Sequence, residues 1–168
     1  MTEETPTTQK KRIKERSASY PSISIQEAID YSIKLQTAYG KSAFSRENAV
    51  KEMGHEKVTG SSGMKVSALV HYGLLDRDGN AYRNSELSIR FANPLDDDDL
   101  QTAKKIAVNN PKLYKSLLSE YSGRAIPTAL NSILVRNHKI GQKVAASVAT
   151  VFRKSVEEAG IYQNGIII

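Results

Sequence analysis

The segment MGHEKVTGSSGMKVSALVHYGLLDRDGNAYR, Met53 to Arg83, admits few folds, because it sets a turn, a helix and a hairpin in immediate succession. Gly60, Ser61 and Ser62 bring turn and N-cap chemistry: a serine hydroxyl accepts a hydrogen bond from one of the unsatisfied N–H groups in a helix's first turn. A helix is predicted from about Ser62 to Tyr72. Gly73 stands where helices commonly end in the left-handed conformation. Leu74 and Leu75 start a strand, Asp78-Gly79 is a tight-turn signal, and Ala81-Tyr82-Arg83 returns as the partner strand.

Upstream, Ser24-Ile25-Gln26-Glu27 has the form of a capping box, and Ile25, Ala28, Ile29, Ser32, Ile33 and Gln36 recur at helical spacing to about Tyr39, where Gly40 ends the pattern. Phe44 is expected as a short strand or a staple before Ser45 caps a helix from Arg46 to Met53. His55 to Gly60 is then the turn between two helices. Phe44-Ser45-Arg46-Glu47, Met53-Gly54, Ser61 to Tyr72, Gly73-Leu74-Leu75 and Asp78-Gly79 together resemble the winged helix-turn-helix family. That resemblance implies a third helix lying in a DNA major groove and a wing touching the backbone or minor groove. Winged helices also serve as protein-binding modules, so the fold leaves both activities open.

Beyond the hairpin, Asn84-Ser85-Glu86-Leu87 caps a short helix through Ile89 and Phe91, stopped by Asn93-Pro94. The run Asp96-Asp97-Asp98-Asp99 lacks the alternating ligand spacing of a calcium loop. It precedes the stripe Leu100, Ala103, Ile106, Ala107, so it reads as acids opposing the positive end of a helix dipole. Asn110-Pro111 starts a helix with Leu113, Tyr114, Leu117, Leu118 and Tyr121 on its apolar side, ended by Gly123. Ile126-Pro127-Thr128 opens another through Val135. His138 to Gly141 is a turn, and Val144, Ala145, Val148, Val151, Phe152 and Val156 mark a long helix to Gly160. Ile161-Tyr162 and Ile166-Ile167-Ile168, around Gln163-Asn164-Gly165, are predicted as a small hairpin or edge strand, with the isoleucines buried in the core or in a subunit contact.

Helix, link, helix, turn, long helix and hairpin repeat the first order, which resembles proteins of bacteria, archaea and phages that carry two winged-helix units in one chain. The expected architecture is therefore mainly α with small β-hairpins, a tandem winged helix-turn-helix. It comprises a basic arm at 1–22, a first unit at 23–94 and a helical, winged-helix-like second unit at 95–168.

Composition sets the outer limits. Hydrophobic residues are 39% and charged residues 25% of the 168, as in a globular protein. The absence of cysteine removes disulfides, thiolate metal sites and a cysteine nucleophile. No apolar run reaches the roughly 20 residues of a membrane helix, and the N-terminus lacks a signal peptide's apolar stretch. A soluble, cytoplasmic chain with no membrane association is expected. The net charge of +6 divides as +2, +1 and +3 over 1–22, 23–94 and 95–168, so a basic surface has to be assembled by folding.

Candidate nucleic-acid contacts follow from charge and helical phase. Lys10, Lys11, Arg12, Lys14 and Arg16 form a basic arm that can lie along phosphates, or else a solubilising tail. On the third helix, Val66, Leu69, Val70 and Gly73 mark the inward face, which puts Ser61, Ser62, Lys65 and His71 outside. Arg77 and Arg83 flank the wing tip. On the second long helix the corresponding face holds Gln142, Lys143, Ser147, Thr150 and Arg153, with Lys139 at the turn. That helix is equally suited to a packing or dimer interface, being rich in small apolar residues.

The three histidines, His55, His71 and His138, do not form a ligand pair at helical spacing, and no Walker or dinucleotide glycine motif is present. The expectation is a non-enzymatic protein without metal or cofactor that binds duplex DNA. The alternative is a protein-interaction or assembly module, with a homo-oligomer or another protein as partner. RNA is a third option, against which stands the lack of a paired aromatic platform for stacking unpaired bases.

Overall fold

Residues 20–168 are described by the computed structural model. Its first helix, α1 (Ile25–Tyr39), starts at Ser24, whose hydroxyl accepts from the Glu27 N–H, and stops at Gly40. Helix α2 (Arg46–Glu52) is capped by Ser45 through the Asn48 N–H. Helix α3 (Gly60–His71) begins two residues earlier than the serines suggest. Thr59 is its cap, accepting from the Ser62 N–H while the Ser62 hydroxyl accepts from the Thr59 N–H, a reciprocal capping box that uses serine in place of the usual glutamate.

Strands β1 (Leu75–Asp78) and β2 (Ala81–Asn84) follow as an antiparallel hairpin in which Leu75 faces Asn84 and Asp78 faces Ala81. Phe44 joins this hairpin as a single antiparallel bridge to Tyr82, exchanging both backbone bonds with it at 2.8 and 2.9 Å. Its ring stacks on Tyr39 at 4.6 Å between centroids. The residue that links α1 to α2 is thereby a third strand in embryo, and it ties the entry of α2 to the hairpin.

Helix α4 (Glu86–Ala92) follows, capped by Ser85, and leads to α5 (Asp97–Asn109). The acidic run works at this junction as cap and clamp. Asp96 accepts from the Asp99 N–H at 2.7 Å, while Asp99 accepts from the Leu95 N–H and from the Arg90 guanidinium at 2.6 Å. The Leu95 N–H first, and then Arg90, hold the Asp99 carboxyl below the ordinary carboxylate range. Ile106, expected on the apolar stripe, is instead exposed; Ala103, Ala107 and Val108 form the buried side.

The remaining elements are α6 (Lys112–Glu120), α7 (Leu130–His138), α8 (Ala145–Glu158) and a two-residue hairpin of β3 (Tyr162–Gln163) and β4 (Ile166–Ile167). Helix α7 starts at Leu130, four residues after Ile126, because Pro127 is held in a turn whose carbonyl accepts from the Leu130 N–H. Ser122, between α6 and α7, bridges Ile167 in the last strand. This is the position Phe44 takes toward β2, although here the bridge runs parallel. Only Ile167 of the terminal isoleucines is buried; Ile166 and Ile168 (60% exposed) point outward, as period-two alternation requires.

Helices α2, α3 and α8 end alike. In each a glycine with positive φ (Gly54, Gly73, Gly160) donates three residues back, and the next residue donates five back, closing a Schellman motif. At Gly73 a side chain is also excluded by contact, since a Cβ would lie 2.5 Å from the Asn110 amide nitrogen, which donates to the Tyr72 carbonyl. Helix α7 differs: Lys139 occupies the left-handed region at φ 58°.

One apolar core runs through 23–94 and 95–168 without a break at residue 94, and Tyr72, Tyr114 and Phe152 are fully buried in it. Their rings meet edge to face, 6.1 Å and 5.0 Å between centroids. Within this core a chain of hydrogen bonds crosses the two stretches. The Ile25 N–H donates to Ser155 Oγ at 3.1 Å, Ser155 and Tyr72 hydroxyls lie 3.0 Å apart, and Tyr72 donates to the Ile23 carbonyl at 2.8 Å. Because the Tyr72 proton goes to Ile23, the Ser155 proton goes to Tyr72, and every member is satisfied. Burial, above all, pushes the phenols of Tyr72 and Tyr114 far up, so both stay neutral. The Tyr114 hydroxyl is buried beside the Tyr72 and Ser155 hydroxyls but has no partner at hydrogen-bond distance among the described residues.

Two stability measurements test this description. Tyr72→Phe strands the Ile23 carbonyl and is expected to cost about 1–3 kcal/mol in urea unfolding, whereas Tyr114→Phe removes an unpaired hydroxyl and should be neutral or stabilising; equal losses would refute the distinction. Lys139→Gly relieves a left-handed side chain and should stabilise by about 1 kcal/mol, and a lower midpoint would show that Lys139 is not strained there.

Candidate nucleic-acid interface

Helical phase decides what α3 presents. Ser62, Val66 and Leu69 are spaced i, i+4, i+7 and lie on one buried stripe, and Ser62 is 2% exposed with its hydroxyl held in the capping box. The expectation that Ser62 faces outward is therefore corrected. Lys65 sits on the flank of the same stripe and turns toward α1, where its ammonium donates to Tyr31 Oη at 3.3 Å and lies 3.9 Å from Glu27. Its side chain keeps 22% exposure, and the ammonium is 5.5 Å from the Tyr31 ring centroid. Lys65 is thus a brace between α3 and α1, which corrects its assignment to the outer face.

What α3 shows to solvent is Gly60, Ser61 and Met64, with Ser67 and His71 half-buried along the same side. His71 is held below its ordinary pKa by burial first and by Arg77 second, so at neutral pH it is uncharged. Ser61 is exposed as expected, but among the described residues no free cation stands on this face.

The β1–β2 hairpin is charge-balanced. Arg83 donates to Asp78 at 2.7 Å and to the Lys41 carbonyl at 2.7 Å. Arg77 lies over the Tyr82 ring, 5.6 Å from its centroid, and shares the Tyr82 hydroxyl with Arg46 at 3.4 and 3.1 Å. Arg46, from the first turn of α2, was not foreseen as part of this group. With Asp76 and Asp78 on β1, the hairpin's two arginines meet two carboxylates and its formal charge is zero.

The C-terminal stretch is different. Residues 121 to 156 carry six cations, Arg124, Arg136, Lys139, Lys143, Arg153 and Lys154, and no carboxylate. Acids at Asp96 to Asp99, Glu120, Glu157 and Glu158 hide this run in any charge count over the whole half. Helix α8 buries Ala145, Val148, Ala149, Phe152, Ser155 and Val156. Its exposed side then reads Ser147, Thr150 and Lys154 at i, i+3, i+7, with Ala146 beside them, and Gln142 and Lys143 stand exposed in the turn that precedes it. Lys143 and Lys154 make no ion pair or hydrogen bond among the described residues. Lys139 is exposed at the turn, and Arg136 is exposed on the facing side of α7.

Arg153 is the exception: half-buried, it donates to the Pro127 carbonyl at 2.7 Å and so fixes the link before α7. His138 also turns inward, with Nε2 3.4 Å from Glu120. Lys154 and Arg136 were missed by sequence reasoning. The signal that would have found them is the carboxylate-free window rather than the charge of the half.

Lys10, Lys11, Arg12, Lys14 and Arg16 lie outside the described residues. Among those described, no helix is long and apolar enough to cross a membrane. Comparison with known proteins finds no matching family model, and neither a curated protein nor a solved structure with significant similarity to the chain.

Proposed function

We propose that the chain is a tandem winged-helix protein that binds duplex DNA, and that the second unit, through α8 and the turn before it, does most of the binding. The observation that carries the reading is the acid-free stretch 121–156, whose Lys143, Lys154, Lys139 and Arg136 stand exposed and unpaired around α8. Support for the architecture comes from the repeated order of helix, bridge, helix, turn, helix and hairpin. Phe44 bridges β2 in one copy and Ser122 bridges β4 in the other.

Lysine and arginine at these positions neutralise phosphates and release counterions, whereas Ser147 and Gln142 are short or neutral donors able to reach base edges, and Thr150, whose hydroxyl donates to the Ala146 carbonyl at 3.0 Å, is left as an acceptor. The basic segment Lys10 to Arg16 adds phosphate-binding charge by composition. Lys65 and Arg83, held in intramolecular pairs, contribute little. A second reading, assembly with protein, is favoured at one place: the outward face of α3 is neutral and carries Met64 at 50% exposure. That face suits a protein contact better than a phosphate backbone.

If four cations of the second unit each neutralise one phosphate, the affinity for a random-sequence duplex falls about a hundredfold between 50 and 200 mM salt. The double change Lys143→Glu, Lys154→Glu is expected to reduce affinity strongly and flatten the salt slope by about two, while Lys65→Gln leaves the slope unchanged. A fluorescence-anisotropy titration of labelled duplex across salt decides this. Salt-independent binding, no binding, or a larger loss from Lys65→Gln would overturn the assignment, and a stable oligomer indifferent to duplex would favour assembly.

A further inference from the structure

Between α7 and the start of α8 lies an open cavity of about 400 Å³ whose walls combine three kinds of chemistry. Arg136 brings a guanidinium. Asn131, Ser132 and Gln142 bring two carboxamides and a hydroxyl, and Val135 with Ala145 and Ala146 forms an apolar wall. No carboxylate lines it among the described residues. None of the four polar side chains has an intramolecular hydrogen bond or ion pair among the described residues.

Each ligand class can be weighed against that lining. A cation finds no acid. A purely apolar molecule would cover four polar groups without pairing them, at a desolvation cost for each. A bare inorganic anion would use Arg136 and Ser132 but leave the carboxamides and the apolar wall idle. A carboxamide offers a donor and an acceptor side by side, the pattern that matches the edge of a nucleobase, and a guanidinium matches a phosphate in a two-pronged contact. The volume lies within the range of small-molecule sites.

We infer that this cavity is a site for one nucleoside monophosphate unit, with Arg136 on the phosphate, Asn131 and Gln142 on the base edge, and Ala145 and Ala146 against its flat face. Two sources supply that chemistry: a free mononucleotide, or a single unpaired nucleotide at the end of a nucleic-acid strand. The first is independent of the duplex-binding reading, and the second rests on it. Ala146 also belongs to the exposed side of α8 and Gln142 to the turn before it, so an occupied cavity alters the surface offered to a duplex.

The test is a titration of the ¹⁵N-labelled full chain, followed by amide resonances, with adenosine 5′-monophosphate, with inorganic phosphate, and with a duplex carrying either blunt ends or a short single-stranded overhang. The mononucleotide is expected to shift residues 131–136 and 142–146 with a dissociation constant of about a millimolar or tighter, and phosphate to bind about tenfold more weakly. Arg136→Gln, an exposed change whose fold is checked in the same spectra, should weaken the nucleotide about tenfold. If the mononucleotide is silent but the overhang binds better than the blunt end, and both Arg136→Gln and Gln142→Leu erase that advantage, the strand is the source and the site stands. Phosphate equal to the nucleotide, or groove resonances unmoved by nucleotide and overhang alike, overturns it. Blunt-duplex binding through α8 in that same experiment would leave the duplex reading intact.

Discussion

The N-terminal turn of α1 has donors that its own sequence leaves unsatisfied, and α8, some 130 residues away, satisfies them. Ser155 accepts from the Ile25 N–H and Glu158 accepts from the Gln26 N–H at 3.0 Å. Helix termini buried without such partners carry a penalty for each orphan group, so α1 and α8 are fixed against each other by backbone accounting as much as by apolar contact. Tyr72 extends the same chain to the end of α3 and back to Ile23. Three helices, α1, α3 and α8, are thus joined by hydrogen bonds in the interior, where low dielectric strengthens a satisfied network and penalises a broken one. A glutamate carboxylate at the positive end of α1 adds favourable dipole electrostatics.

With the frame held this way, residues 23–94 and 95–168 carry different surfaces. In the first, the cations nearest the hairpin are drawn into intramolecular contacts: Lys65 to Tyr31 and Glu27, Arg83 to Asp78, Arg46 and Arg77 to the Tyr82 hydroxyl. These pairings brace α1, α2, α3 and the hairpin against one another. In the second, the buried side of α8 is made of small and apolar residues, with Ser155 the one polar member, and Lys154 on its outer side and Lys143 in the turn before it make no ion pair or hydrogen bond among the described residues. The electrostatic footprint proposed for DNA is therefore a consequence of which cations the fold does not use.

Much of the frame was legible in local chemistry. Ser24, Ser45 and Ser85 cap the helices they precede, Gly40 and Gly73 end theirs, and Asp78-Gly79 turns the hairpin, because each effect acts within four or five residues. What failed was what depends on partners distant in sequence. Lys65 was placed outward because nothing in its neighbourhood announces Tyr31, and Ile106 was placed inward because a helical stripe does not say where the packing partner ends. Ser62 was misplaced although the signal was present, four residues before Val66 on the same stripe. Ser155 and Tyr72 gave no warning of their shared network, since a polar residue in an apolar helix face names no partner by itself.

On the proposed function α8, and not α3, is the helix that meets DNA. Backbone amide shifts produced when a short duplex is added to the labelled chain at low salt distinguish the two helices. Perturbation is expected to concentrate in residues 139–154, with α3 residues 61–71 almost unmoved. Shifts centred on 61–71, or none in either helix, would contradict it.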